Sequence, residues 1–143
     1  MSNLLKDASI LLTPTGYDNG SMNAIKPSKD LYGTELVTNG DFATDSDWVK
    51  ETGWSISNGL ANANSAPNGS SLYQNANLII GKKYKITYEI KNFVSGQIIA
   101  RCGNTFGKFN SSNGVFKETL ICTSGSNIVI RTGSNTTCSI DNV

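Results

Sequence analysis

The sequence contains no histidine, and only three prolines and three cysteines among its 143 residues. Without histidine, Ser-His and Cys-His nucleophile systems are excluded, and most zinc hydrolase sites lose a ligand they need. No run of 18 apolar residues occurs, so the chain offers no helical membrane span and a membrane partner is not expected. Charge is sparse as well: Lys+Arg 12 against Asp+Glu 11 leaves a formal net charge of +1. Grip on a phosphate backbone needs a clustered basic surplus, so nucleic acid is not an expected partner either. The tightest basic group, Lys82, Lys83 and Lys85, reads as a solvated strand edge that lysines keep from pairing with another sheet. At the start, Lys6 and Asp7 precede a brief Ile10-Leu11-Leu12 run that is too short and too poorly flanked for a secretory signal.

Cys102, Cys122 and Cys138 are widely spaced and form no zinc motif. Each lies in an apolar or Thr-rich strand-like run, so buried free thiols are expected, in keeping with synthesis in a reducing cytoplasm. A Cys122–Cys138 bridge is the alternative if those two strands pair. Ser, Thr and Asn supply 47 of the 143 residues, so sequons such as Asn68-Gly69-Ser70 and Asn135-Thr136-Thr137 are expected by chance.

From about Glu35 onward, short strand-like segments recur between Gly, Asn and Ser clusters. The clearest runs from Lys83 to Lys91, with Tyr84, Ile86, Tyr88 and Ile90 on one face and Lys83, Lys85, Thr87, Glu89 and Lys91 on the other. Gly96 to Cys102, Val115 to Cys122, Asn127 to Thr132 and Cys138 to Val143 read the same way. The turns between them are "CGNTFG", "NSSNG", "TSGSN" and "TGSNTT". Strands at this spacing without a helical period predict an all-β sandwich or jelly roll over residues 34–143. Residues 1–33 differ: one apolar patch is followed by Pro14, Gly16, Gly20 and Pro27, too little for a core. They read as an extended N-terminal arm whose Ala8, Ile10 and Leu12 either add a strand to a partner's sheet or cover an edge of their own.

The segments "ELVTNGDF", "WSISNGLANAN", "SSLYQNANLIIGKKYKITYEIKN" and "CSIDNV" resemble, in order, the galactose-binding-like jelly roll of cellulose- and xylan-binding carbohydrate-binding modules, over about 110 residues. The Asn/Ser-rich version, preceded by "MSNLLKDASILLTPTGYDNG", is also similar to structural proteins of tailed bacteriophages, especially the crAss-like phages. The chain stops at "IDNV", where that family usually has a few more residues.

The resemblance implies a virion location after assembly in the host cytoplasm. It also implies an arm that docks on capsid or tail proteins, and copies that display the jelly roll as a head fibre, capsid decoration or tail appendage. The anchoring residues would be Leu4, Leu5, Ile10, Leu11 and Leu12, and the expected assembly is a homo-oligomer such as a trimer. It further implies a structural Ca²⁺ where the opening strand meets the last, with Asp41 of "NGDF" and Asp141 of "IDNV" as ligands. The plainer reading of those acids is an Asx turn and bonds to nearby amides.

For sugar recognition a sandwich uses a flat aromatic against a pyranose face with amides and hydroxyls around it. Trp48, Trp54 and Tyr73, among 17 asparagines, form the candidate glycan site. Trp54 and Ile56 also fall on one face of a strand and would point inward, while Trp48 is open to either core or surface. Asp41, Asp45, Asp47 and Glu51 are close enough for a glycosidase pair but read as a solvated turn, so the expectation is a non-enzyme. A free-standing carbohydrate-binding module is the alternative function.

Overall fold

The computed structural model describes residues 33–143 and, ahead of them, two short antiparallel strands, β1 (Tyr17–Asp18) and β2 (Ser21–Met22). The proposed anchoring residues Leu4, Leu5, Ile10, Leu11 and Leu12 lie outside the described residues. The chain divides into two units, Met1–Thr34 and Glu35–Val143.

The second unit is an all-β jelly-roll sandwich, and the described residues contain no helix. Its strands are β3 (Val49–Lys50), β4 (Trp54–Ser57), β5 (Leu60–Ala66), β6 (Ser71–Asn75), β7 (Lys83–Ser95), β8 (Ile98–Cys102), β9 (Thr105–Asn110), β10 (Gly114–Ile121), β11 (Asn127–Thr132) and β12 (Thr136–Asp141). One five-stranded sheet has the order β10-β7-β12-β5-β4 and the other β3-β6-β11-β8-β9. Every pairing is antiparallel. Among these strands, β4–β5 and β8–β9 are same-sheet hairpins, and every other connection from β3 onward crosses to the opposite sheet. That alternation wraps the two layers around one core.

The alternation of β7 does what its sequence dictates. Ile86, Tyr88 and Ile90 are buried, and Lys83, Lys85 and the lysine side of the strand face outward. In β11, Ile128 and Ile130 point into the core, Ile130 between Leu72 and Ala100 and Ile128 beside Cys102, where apolar burial contributes about 1.5 to 3 kcal/mol per side chain. The β4–β5 hairpin pairs Ser57 with Leu60 across Asn58-Gly59. Both loop residues have positive φ, 54° and 68°, which a two-residue turn matched to strand twist demands and which glycine supplies without strain.

One expectation changes, and of the two readings of the cysteines the buried free thiols hold. "CGNTFG" is a turn only at Gly103-Asn104, and Thr105–Asn110 continues as an edge strand, β9. All three cysteines are buried and free. Cys122 follows β10 while Cys138 lies in β12, and β7 runs between those two strands, so the strand pairing that a Cys122–Cys138 bridge requires is absent.

Candidate functional site

The loop from Asn39 to Trp48 folds over one end of the core. Asn39, itself at φ 49°, braces it: Nδ2 donates to the carbonyls of Thr44 (2.8 Å) and Ser46 (3.0 Å), and Oδ1 accepts from the Thr44 amide (3.3 Å). The Asn39 carbonyl accepts from the Trp48 Nε1–H at 3.0 Å. Phe42 and Trp48 pack with ring centroids 5.4 Å apart and planes tilted by 45°, and they are 1% and 5% exposed. Trp54 is also buried, at 7%, and its Nε1–H has no partner. Both tryptophans of the candidate glycan site are therefore interior, and neither turns a ring face to solvent. Tyr73 is half-buried on β6, with its side chain on the outward face of its sheet.

That outward face is the distinctive surface of the sandwich. Antiparallel partners share a face, so the registers place Val49, Tyr73, Val129, Arg101 and Phe106 in one row across β3-β6-β11-β8-β9. The next row is Ser71, Arg131, Ile99 and Phe109. Phe106 and Phe109 are half-exposed, at 52% and 55%. Ile99 and Val129 point outward yet are buried, so the longer side chains around them form their cover. The Arg101 guanidinium lies 4.6 Å from the Phe106 centroid and that of Arg131 lies 6.0 Å from it. Arg101 Nη2 donates to the Gly103 carbonyl (3.1 Å) and to Asn104 Oδ1 (2.8 Å). Burial, and then the charge of Arg131 beside it, hold Arg101 below the usual guanidinium range. At Gly69, where φ is +85°, a Cβ would come within 2.7 Å of Arg131 Nη2, so the glycine leaves that guanidinium its place.

The outward face of the other sheet is different in kind. Lys91 Nζ bridges Asp141 (2.7 Å) and Glu89 (3.3 Å), and Ser139 donates to Asn62 Oδ1 (2.9 Å). Its own neighbours satisfy those groups. The hydrogen bond to Asp141 raises the Lys91 pKa. Asp141 Oδ1 also accepts from the Asn142 amide (2.8 Å), and Asp41 is an exposed loop acid facing the Ala43 amide (3.4 Å). A structural calcium at Asp141 would have to displace the Lys91 ammonium. Among the described residues no three His, Cys, Asp or Glu side chains gather to hold a metal.

The other acids of the opening region are engaged locally. Asp45 pairs with Lys50, Asp47 accepts from Ser46 Oγ (2.6 Å), and Glu51 Oε2 accepts from the Ser71 amide (2.8 Å). Where the edges of β9 and β10 approach, Phe106, Gly107, Lys108 and Lys117 to Leu120 line a groove of about 400 Å³. Glu118 in that groove accepts from the Lys108 amide through Oε2 (2.7 Å), and its buried Oε1 has no partner.

Sequence reasoning singled out Tyr73 but missed Phe106, Phe109, Arg101 and Arg131. A usable signal was present, since these are the chain's only two arginines. No family model matches the chain, and neither does any curated protein or solved structure.

Proposed function

We propose that the Glu35–Val143 sandwich is a non-enzymatic glycan-adhesion module, displayed by a structural protein of a tailed-phage virion. The observation that carries the adhesion reading is the two-row outward face on which Tyr73, Phe106 and Phe109 stand among two guanidiniums and Ser71. Exposed rings supply an apolar platform for a pyranose, and fixed donors around them meet hydroxyls. The acids weighed for glycosidase work, Asp41, Asp45, Asp47 and Glu51, are tied to loop amides, a hydroxyl or Lys50. No paired carboxylates enter the reading. The virion setting, the docking arm with its leucine patch and the homo-oligomeric display rest on the sequence resemblance. A free-standing carbohydrate-binding module would use the same face without the arm.

Affinity electrophoresis through gels cast with plant and bacterial polysaccharides tests the adhesion reading. Wild type is expected to be retarded by at least one polymer, and Phe106→Ala with Phe109→Ala to migrate freely while keeping the wild-type melting temperature. Equal retardation of the double variant would remove the face as the site. Co-purification with particles that persists without residues 1–33 would remove the docking arm, and glycan retardation with no co-purification of the full chain would favour the free-standing module.

A further inference from the structure

Glycan adhesion alone does not account for two like charges placed side by side. Arg101 and Arg131 are the chain's only arginines. They come from different strands, β8 and β11, to the same outward face. Mutual repulsion and partial desolvation disfavour such a pair unless an anion joins it. Among the described residues no acid forms an ion pair with either, and the nearest acid along the rows, Glu51, holds the Ser71 amide. Arg101 is anchored through Nη2 by Gly103 and Asn104, while its buried Nε–H has no acceptor. The guanidinium plane is thus fixed and short of one acceptor.

We propose that Arg101 and Arg131 receive the anionic group of an acidic saccharide, a pyranose bearing a carboxylate or a sulfate, whose ring lies on the exposed surface of Phe106. This rests on the glycan reading above and adds the class of sugar. The Arg131 guanidinium, which no acid pairs among the described residues, presents parallel N–H donors that match the paired oxygens of either anion. Arg101 adds its fixed positive charge beside it, and both lie within about one sugar ring of the Phe106 centroid, at 4.6 Å for Arg101 and 6.0 Å for Arg131. A neutral sugar would leave that charge uncompensated.

The test titrates the full chain with polygalacturonate and its methyl-esterified form, with dextran sulfate and dextran, and with polyglutamate. The expected result is binding to polygalacturonate or dextran sulfate about tenfold or more tighter than to the matching uncharged polymer, a preference that shrinks as sodium chloride is raised. Preference for the first acid identifies a carboxylate and for the second a sulfate. Arg101→Gln and Arg131→Gln should each reduce the preference about tenfold with little change toward the neutral polymer, and Arg131→Lys should restore part of it. The esterification comparison uses wild-type protein, so its outcome does not depend on a variant folding. Equal binding of charged and uncharged polymers overturns the acidic-sugar inference and leaves glycan adhesion standing. Polyglutamate binding as tightly as polygalacturonate overturns it in favour of charge alone, and no binding to any of the five polymers overturns it as well, while retardation in the polysaccharide gels decides glycan adhesion separately.

Discussion

Trp48 is held by one hydrogen bond to a carbonyl nine residues earlier and by the ring of Phe42, a bulky residue at φ 51°. A bulky residue there is strained, and the strain is tolerated because burying two rings together outweighs it. Nothing in "DFATDSDW" announces this, since the inward turn of Trp48 depends on the brace that Asn39, outside that stretch, makes to Thr44, Ser46 and Trp48 in an irregular loop with no periodic pattern. Trp54 was legible, because the Trp54–Ile56 spacing alone puts both on the core face of β4. Trp48→Ala should lower unfolding free energy by about 3 to 5 kcal/mol, measured by urea denaturation. Phe106→Ala, on an exposed face, should stay within about 1 kcal/mol of wild type. A Trp48→Ala variant as stable as wild type would place that ring outside the core.

Strand β7 could be read from its alternating sequence, and β9 could not. Phe106 and Phe109 are three residues apart, an odd spacing that ought to put them on opposite faces. The register shift between Ile99 and Arg101 brings both to the same side. A bulge of this kind leaves no mark in local composition, so the segment looked like turn chemistry. The β4–β5 turn is the reverse case, written plainly as Asn58-Gly59. A Cβ at Gly59 would meet nothing closer than the Asp41 carbonyl at 3.9 Å, so Gly59→Ala isolates the conformational cost. The urea midpoint should fall by the equivalent of about 1 kcal/mol at unchanged slope. An unchanged midpoint would mean the hairpin does not need that φ.

Across the whole molecule, recurring short strands between turn clusters made the sandwich legible, because closing two layers around one core is the stable use of such a pattern. Which outward face would carry function was not legible. Both faces alternate in the same way, and the difference lies in cross-strand partners distant in sequence, such as Arg101 with Arg131 against Lys91 with Asp141. The core also sets a pH limit. Burial pushes the Cys138 thiol from its ordinary 9.0 to about 12, and burial followed by the neighbouring Cys122 does the same for Cys102. Burial raises Tyr88 from 10.0 to about 12. These groups release protons when unfolded at a pH where the fold holds them neutral. Their contribution is full below pH 9 and declines as pH rises toward 12. Melting temperature should therefore fall progressively above about pH 9 at constant ionic strength. A flat profile to pH 11 would show that the thiols ionise in place.

The Val143 amide donates to the Gly40 carbonyl at 3.0 Å, which joins the opening loop of the sandwich to the segment that leaves β12. A β unit whose entry and exit lie side by side can be grafted into a surface loop of a foreign scaffold while its host keeps the loop's original spacing.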